Sequence, residues 1–418
     1  MPVTYDNLFR LIEYQKITST SLTRQANISD NIISRLRRNE YVSLETIENI
    51  CRVSDCQVND ILEFRRYDQQ KNESPLKNSS VRADIQNRRY LGNKFKLLEF
   101  IKSIVQENCS EIETMADIFS GTGAVSTAFD TAVVITNDLL YSNYLCNLAW
   151  FGSEPVRLNF LSNLIAEYNE CKTFESNYMT ENFADTYFSK IDCSKIGFIR
   201  DDIEQKYLER IISERERAVL IVSLIYAMDR IANTCGHYDA WRRGVIFERS
   251  LTLPVLNIPV KNNPRNRCFN EDANELVRHI SADLIYIDPP YNSRQYSDTY
   301  HLLENVARWE KPPVYGVARK LDRKNLKSDY CTLKATSAFE DLIHHCKAKY
   351  ILLSYNNMAH KGNDRSNARI TDEDIFRILY SKGSVQVFSK AYRAFTTGKS
   401  IIRDNEERLF LCKVDYGK

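Results

Sequence analysis

The sequence has no Cys-x-x-Cys pair, no long apolar run and almost no net charge, and each of these absences argues against a class of protein. Its 11 cysteines are odd in number and none lies in a Cys-x-x-Cys pair, so neither a disulfide framework nor a thiolate zinc site is expected. No apolar run approaches the roughly 20 residues that span a bilayer. The first residues, Met1 to Asp6, lack the basic and apolar parts of a secretory signal. We therefore expect a cytoplasmic protein without a metal and without a membrane partner.

Charge is distributed unevenly along the chain. The net charge of +2 gives little overall attraction to nucleic acid, but residues 311 to 334 hold seven basic side chains against two acidic ones. A second basic stretch runs from Lys261 to Arg267. Either stretch alone is typical of a solvated loop, whereas the two together favour contacts with the phosphates of double-stranded DNA. The candidate contacts in the longer stretch are Arg319, Lys320, Arg323 and Lys324.

The length of 418 residues predicts two or three folding units. Residues 1–66 carry short apolar-periodic segments typical of a small helical domain, and residues 67–87 form a mostly polar linker. In residues 88–418, short apolar runs alternate with longer helical patterns, which predicts a doubly wound α/β core with a parallel sheet. The predicted strands are 115–119, 132–135, 284–287 and 350–354. Residues 151–267 interrupt the alternation and are interpreted as an inserted, helix-rich subdomain.

A Gly-x-Gly turn follows the first predicted strand of the core. The run from Ala116 to Val125 contains Asp117, Phe119, Gly121 and Gly123, and it opens onto a helix. Such a turn lets a ligand approach the backbone closely, although many glycines merely close tight strand-to-helix connections. The next predicted strand ends at Asp138, where an acid can bind the ribose hydroxyls of an adenosine-containing cofactor. The alternative is an exposed aspartate at a helix start.

A buried strand from Ala282 to Ile287 stops at Asp288-Pro289-Pro290-Tyr291. Two prolines cannot continue a sheet ladder, so Asp288 is expected at the carboxyl edge of the sheet, where open α/β sheets bind ligands. There Asp288 and the Pro289 carbonyl can accept the two hydrogens of an exocyclic amine, and Tyr291 can stack on a base extruded from a duplex. The alternative is a structural Asp-Pro-Pro turn.

Taken in order, these motifs resemble those of alpha-class, dam-like N6-adenine DNA methyltransferases, over residues 88 to 415. In that family a leading motif contacts the methionine end of S-adenosylmethionine, and here the run Arg89 to Lys94 resembles it, which implies cofactor contacts for Tyr90 and Lys94. The resemblance implies the same for the glycine turn, for Asp138, for Asp272 near the cofactor adenine and for Asp288. Residues 350–357 are similar to the strand and loop of the target-base pocket, and residues 406–411 to a closing hairpin strand.

The resemblance also assigns the reading of the DNA sequence to the segment between the cofactor and catalytic motifs. Within residues 151–267, the stretch from Asn233 to Arg242 is similar to one found in restriction-modification adenine methylases, which implies DNA contacts for His237, Tyr238 and Arg242. A metal role for His237 is not expected, because no cluster of His, Cys and acidic residues accompanies it. A cognate restriction endonuclease is an implied partner.

Residues 20–39 resemble a helix-turn-helix of the lambda-repressor/Cro type. Ile28 is expected to fill the turn and Ser29 to cap the second helix. The residues expected to face DNA are Asp30, Asn31, Ser34, Arg35, Arg37 and Arg38. The alternative is a helical module that docks onto another protein. A DNA-binding domain here implies either binding to an operator near the protein's own gene or added affinity for the target.

Two other functions remain open from the sequence. The same tetrapeptide chemistry serves N4-cytosine or RNA methylation, and Asp before Pro-Pro favours adenine by resemblance alone. A transcriptional regulator with a degenerate methyltransferase scaffold is the second alternative. The presence of Lys94, Asp138 and Asp288 argues against that degeneration.

Overall fold

The computed structural model describes residues 3–5, 8–9, 11–12, 17–38, 40–54, 56–64, 82–85, 88, 90–129, 132–234, 236–356, 368–391 and 406–415. The chain divides into two compact units, residues 1–78 and 79–418, and this boundary falls inside the predicted linker. Residues 67–81 of that linker lie outside the described ranges. No helix within the described ranges is both long and apolar enough to cross a bilayer.

The first unit packs short helices on one apolar core. They are α1 (Ser19–Gln25), α2 (Asp30–Arg37), α3 (Leu44–Ser54) and α4 (Val58–Ile61). The core includes Leu22, Leu36 and Ile50, which are fully buried. Two strands, β1 (Val3–Thr4) and β2 (Glu63–Phe64), pair antiparallel, with Val3 opposite Phe64. The prediction of a small helical domain is therefore confirmed, and the short β1–β2 pair, which the sequence did not predict, joins the two ends of the unit.

The connection between α1 and α2 has the geometry of a helix-turn-helix. Asn27 adopts a left-handed conformation with φ of 53°, which short polar side chains tolerate. Ile28 follows it, half-buried and packed on the core, as predicted. Ser29 stands at the N-cap position in extended conformation, but its side chain makes no capping hydrogen bond, so the capping prediction is right in position and wrong in contact.

The second unit is built on a seven-stranded sheet with the order β10-β11-β9-β8-β4-β5-β7. Its strands are β4 (Thr114–Asp117), β5 (Val133–Asn137), β7 (Arg267–Phe269), β8 (Ala282–Ile287), β9 (Ala348–Asn356), β10 (Gly383–Ala391) and β11 (Glu406–Val414). Neighbours from β9 to β7 are parallel, and β11 runs antiparallel between β9 and β10. All four predicted core strands are confirmed, with shifted ends.

Helices cover both faces of this sheet. They are α5 (Leu98–Asn108), α6 (Tyr141–Phe151), α7 (Leu158–Glu170), α8 (Tyr178–Phe183), α9 (Lys190–Leu208), α10 (Glu214–Ile231), α11 (Ala273–Leu276), α12 (Tyr296–Thr299), α13 (His301–Arg308), α14 (Ala335–His345) and α15 (Asp372–Tyr380). Successive strand residues alternate between faces, so Met115 and Leu284 pack with α5 while Ala116 and Ile285 pack with α11, α14 and α15. The doubly wound prediction is confirmed, but the sheet is mixed rather than wholly parallel, because β11 runs antiparallel to both of its neighbours.

The segment predicted as an inserted subdomain is helical but does not form a separate core. Its helices α7 to α10 bury their apolar side chains in one cluster with α6 and α13. The end of the predicted linker joins the same cluster, because Arg82–Ala83 (β3) pairs in parallel with Val255–Leu256 (β6) and Ile85 is buried. The linker therefore ends before residue 82, earlier than predicted. Arg82 pairs with Val255, 173 residues further along the chain, and the polarity of the residues around Arg82 gives no sign of this pairing.

Candidate active site

Most of the predicted cofactor and catalytic residues line one cleft at the carboxyl edge of the sheet. Strands β4, β5 and β8 are parallel, so their carboxyl ends lie at the same edge of the sheet. Strand β4 lies between β5 and β8, so the connections that follow it diverge at this edge, where open α/β sheets bind ligands. The cleft encloses about 1030 Å³ of space, part of it open to solvent. Its lining includes Tyr90, Lys94, Asp117, Phe119, Gly121, Asp138, Asp272, Asp288, Pro289, Pro290 and Tyr291.

The two glycines of the turn after β4 have different neighbours. Gly121 has φ of 52° and lines the cleft, where a Cβ would lie 3.0 Å from the Tyr90 ring. Gly123 has φ of 87°, and a Cβ there would lie 2.7 Å from both Asn147 Oδ1 and Phe151. Gly123 thus allows α6 to pack closely against the turn and is not among the lining residues, which differs from its predicted cofactor contact.

Asp138 lies directly after β5 and is bonded to the glycine turn. The Gly121 N–H donates to its Oδ2 at 2.9 Å, and the Leu140 N–H and Asn143 Nδ2 donate to its Oδ1 at 2.8 and 3.1 Å. Burial raises the pKa of Asp138 to about 6, although these hydrogen bonds oppose the shift. The acid predicted to bind a ribose is thus fixed in orientation at the cleft wall.

Tyr90 is stacked between the turn and two tyrosines that follow the catalytic tetrapeptide. Its ring centroid lies 4.9 Å from that of Tyr300 and 5.5 Å from that of Tyr296, with near-parallel planes. Asn143 Nδ2 also donates to the Tyr90 hydroxyl at 2.9 Å. Asn143 therefore joins Tyr90 to Asp138, two predicted cofactor residues that are 48 positions apart in the printed sequence.

Asp288 sits at the end of β8 beside a buried ammonium group. Lys94 Nζ lies 3.1 Å from Asp288 Oδ1 and 3.0 Å from Glu407 Oε1. Burial raises the pKa of Asp288 to about 6, with Lys94 opposing and Glu407 assisting that shift. Burial lowers the pKa of Lys94, but the two carboxylates outweigh it, so its pKa lies well above the ordinary value. Asp288 lines the cleft, and its side chain is 19% exposed.

Aromatic side chains form the remaining walls. Tyr291 lies edge-on to Tyr355, with ring centroids 6.5 Å apart, and its carbonyl accepts from the Arg369 N–H at 2.8 Å. Phe119 lies edge-on to the buried Tyr330 at 5.1 Å. Asp272 lines the cleft at the start of α11, where its side chain accepts from the Asn274 N–H. Asn357, placed in the base pocket by resemblance, lies outside the described residues.

Some of the basic residues predicted to contact DNA in the second unit are exposed, and others are held in ion pairs within the protein. Arg242, Arg319 and Lys324 are exposed. Lys320 is paired with Asp239 at 2.7 Å, and Arg323 with Asp298 at 2.7 Å. Within the described ranges, no metal-binding cluster surrounds any of these residues.

Tyr238 and His237, both predicted to contact DNA, are not fully exposed. Tyr238 is 2% exposed, and its hydroxyl donates to Asp229 Oδ1 at 2.8 Å. His237 is partly buried, with Nδ1 3.7 Å from Asp239 Oδ2. The predicted DNA contact through the Tyr238 side chain is therefore wrong for this structure, because burial and the hydrogen bond withhold it from the surface.

In the first unit, the predicted contacts on α2 are largely on the surface. Asn31, Ser34, Arg37 and Arg38 are exposed, and Arg35 is half-buried. Arg35 and Arg38 both approach Glu40, at 3.5 and 2.8 Å, and the Arg37 guanidinium lies over the Phe9 ring at 4.7 Å. The side chain of Asp30 lies outside the described atoms.

Several site residues had no assigned role in the sequence prediction. Tyr296 and Tyr300 follow the tetrapeptide at a helical spacing of four, a signal that could have suggested a shared face. Asn143 gave no such signal. Glu407 lay in a segment predicted only as a hairpin strand, and its contact with Lys94 joins positions more than 300 residues apart.

Comparisons with known proteins agree with this geometry. Residues 90–367 match the family model described as D12 class N6 adenine-specific DNA methyltransferase, and residues 7–66 match that of a Cro/C1-type helix-turn-helix DNA-binding domain. The chain is 36% identical to modification methylase StsI of Streptococcus sanguinis, over 76% of this chain and 50% of that protein. It is 32% identical to type II methyltransferase M.FokI of Planomicrobium okeanokoites, over 73% and 49%.

A shorter relative is covered more completely. The chain is 30% identical to type II methyltransferase M.NlaIII of Neisseria lactamica, over 64% of this chain and 83% of that protein. By contrast, the chain spans about half the length of StsI and M.FokI.

Proposed function

Because the chain belongs to the D12 class of N6 adenine-specific DNA methyltransferases, we propose that it transfers a methyl group from S-adenosylmethionine to the N6 amino group of an adenine flipped out of double-stranded DNA. The observation that carries the proposal is the position of Asp288-Pro289-Pro290-Tyr291 in the same cleft as the Gly121 turn and Asp138. We expect the protein to act in the cytoplasm. We also propose that it is the modification enzyme of a restriction-modification system with a cognate endonuclease, a role that the names of the relatives support.

The cleft fits S-adenosylmethionine, which supplies an electrophilic methyl group on a positively charged sulfur. Acidic side chains outnumber basic ones in the described lining, where Lys94 is the one basic residue. Ser297 Oγ lines the cleft, is buried, and has no hydrogen-bond partner within the described ranges. In the proposal, the Gly121 turn and Asp138 hold the ribose, Asp272 and Phe119 lie toward the adenine, and Tyr90 and Lys94 lie toward the methionine end.

The reaction needs acceptors for the hydrogens of the amine. The N6 lone pair is delocalised into the adenine ring, and acceptors on its hydrogens return electron density to nitrogen as positive charge develops there. In the proposal, Asp288 and the Pro289 carbonyl accept these hydrogens, and Tyr291 stacks on the base. As N6 gains the methyl carbon it must lose one proton, and the Asp288 carboxylate is available to accept it.

The experiment that tests the proposal identifies the acceptor atom. The protein is mixed with methyl-labelled S-adenosylmethionine and either mixed-sequence duplex DNA or RNA, and the product is digested to nucleosides. Label in N6-methyldeoxyadenosine supports the proposal. Label in N4-methyldeoxycytidine or in RNA supports the alternative substrates, and label in no nucleoside supports a regulator without catalysis.

We also propose that residues 1–66 bind DNA, either at an operator of the protein's own gene or beside the methylation target. The exposed side chains of Asn31 and Ser34 on α2 and of Arg38 directly after it support this, as does the match to a Cro/C1-type domain. Removing residues 1–66 would then weaken DNA binding or repression. Unchanged methylation and unchanged repression would contradict it.

A further inference from the structure

Glu407 brings a second carboxylate to the ammonium group that contacts Asp288. It lies near the start of β11, opposite Asn356 of β9, and is 7% exposed. Ser354 Oγ donates to Glu407 Oε1 at 2.8 Å, and Lys94 Nζ lies 3.0 Å from the same oxygen. Ser354 of β9 thus orients the buried Glu407 carboxylate, which faces the Lys94 ammonium.

The resulting cluster is not balanced in charge. Two carboxylates, Glu407 and Asp288, share the Lys94 ammonium at 3.0 and 3.1 Å, and the side chains are 9%, 19% and 9% exposed for Glu407, Asp288 and Lys94. A buried charge is stabilised mainly by direct partners, so an ammonium divided between two acids compensates each of them less than it would compensate one. Lys94 therefore faces two carboxylates, whereas Asp288 shares its one ammonium partner with Glu407.

We infer that Glu407 is a positioning residue for methyl transfer: it attracts part of the Lys94 charge, so that the ionised Asp288 carboxylate is incompletely compensated and can accept hydrogens from the amine. The inference rests on the proposed function and adds a residue to it. Without Glu407, Lys94 would pair with Asp288 alone and compete with N6 for the same carboxylate.

The pH dependence of Asp288 can be assigned to this cluster. The other titratable groups facing Asp288 are Asp117, Tyr286, Tyr291 and Tyr296. Burial raises the pKa of each tyrosine, so all three stay neutral at moderate pH. Burial raises the pKa of Asp117 to about 8, so it stays protonated while Asp288 titrates near its pKa of about 6. Burial is the largest cause of the raised Asp288 pKa, and Lys94 and Glu407 are the charges that adjust it.

The first experiment measures single-turnover methyl transfer to mixed-sequence duplex DNA from pH 5 to pH 8. Glu407→Gln keeps the size and the acceptor oxygen but removes the charge, so Lys94 should pair fully with Asp288. We expect its acid limb to move to lower pH by about one unit, with a plateau rate several-fold lower. Glu406→Gln is the matched control, because successive strand residues face opposite sides of the sheet, and it should behave like the wild type. A Glu407→Gln profile that coincides with that of the wild type overturns the inference.

The second experiment does not depend on turnover. Carboxyl-¹³C aspartate is introduced into the intact protein, the Asp288 signal is assigned by its loss in Asp288→Asn, and its pH titration is followed by NMR. We expect Glu407→Gln to lower the pKa of Asp288 and Lys94→Gln to raise it. If the wild type transfers no methyl group, the proposed function fails, and the titration still decides whether Glu407 acts on Asp288. A shifted titration with an unchanged plateau rate overturns the positioning role.

Folding of the variants is checked by thermal melting. If Glu407→Gln does not fold, Glu407→Asp replaces it, since it keeps the charge on a shorter side chain. A retracted carboxylate should hold Lys94 less well, so the acid limb should shift in the same direction as in Glu407→Gln but by less. No shift in Glu407→Asp, with the fold intact, contradicts the inference.

Discussion

The Gly121 N–H donates to Asp138 Oδ2 at 2.9 Å. The turn that follows β4 and the acid that follows β5 are therefore joined at the carboxyl edge of the sheet. A cofactor entering the cleft meets a wall whose backbone and carboxylate are already oriented, which reduces the entropy lost on binding.

Replacing Gly121 by alanine should damage this wall. The residue has φ of 52°, and an added Cβ would lie 3.0 Å from the Tyr90 ring, so both the backbone and the stacked tyrosine must shift. We expect the Kd for S-adenosylmethionine to rise at least tenfold and unfolding to become easier by about 1 kcal/mol. Calorimetry and denaturant unfolding measure these two effects.

The matched control is Gly244→Ala. Gly244 also has positive φ, 69°, but nothing lies within 4 Å of the added Cβ. It carries the backbone strain without the steric contact, so cofactor affinity should be unchanged. Equal loss of affinity in both variants would show that strain alone is responsible.

The variants Asp138→Ala and Asp288→Ala should separate the binding of S-adenosylmethionine from the transfer of its methyl group. Asp138→Ala loses the partner of Gly121 and the proposed ribose acceptor, so the Kd for S-adenosylmethionine should rise at least tenfold, a loss of about 1.4 kcal/mol or more. Asp288→Ala should bind the cofactor much more tightly than Asp138→Ala. The measurement is titration calorimetry of both variants, and the reverse order of affinities would exclude this division of roles.

Asp117 should make the second unit less stable as the pH rises. Burial raises its pKa to about 8, and the Ser126 hydroxyl, 3.0 Å from Oδ2, opposes the shift. A raised pKa means that folding favours the protonated carboxyl, so this stabilisation is complete below the unfolded value of about 3.9 and is lost as the pH rises through about 8.

Asp117→Asn should remove that dependence, because asparagine is neutral and still accepts from Ser126. We expect its melting temperature to exceed that of the wild type by about 2 °C or more at pH 8 and to match it near pH 4. Thermal melts at the two pH values test this. A variant that melts below the wild type at pH 8 would refute the assignment.

The sequence predicted much of the fold and of the cleft because those features are local. Asp288-Pro289-Pro290-Tyr291 and the Gly121 turn each end a short apolar run, and parallel strands bring such ends to one edge. The β1–β2 and β3–β6 pairs were missed because each joins chain segments far apart, with no local periodicity to mark them.

The contacts of Tyr238 and Glu407 could not be predicted for a related reason. Both side chains are polar and lie in segments that look exposed, yet both are buried, and both residues also contact distant segments: the Tyr238 N–H donates to the Thr299 carbonyl, and Glu407 faces Lys94. Tyr238 bonds to Asp229 in α10, and Glu407 contacts Lys94 before α5. Tertiary packing, rather than composition, decides whether such residues face solvent.

The exposed face of α2 should contribute DNA affinity that is independent of the cleft. Arg38→Ala and Asn31→Ala in the full chain should each weaken DNA binding by about 1–3 kcal/mol if the residue reads a base, and less if it contacts a phosphate. Electrophoretic mobility shifts at fixed salt, on the promoter of the protein's own gene and on target DNA, distinguish the two sites. Unchanged affinity for both DNAs would favour a protein-docking module.

A comparison of the wild type with Asp288→Ala shows whether Asp288 takes part in methyl transfer to adenine. Both are incubated with methyl-labelled S-adenosylmethionine and duplex DNA, and label in N6-methyldeoxyadenosine is counted. We predict label for the wild type and none above background for Asp288→Ala, which should still bind the cofactor. Equal labelling by the two proteins would contradict the account, because it would remove Asp288 from the chemistry of the site.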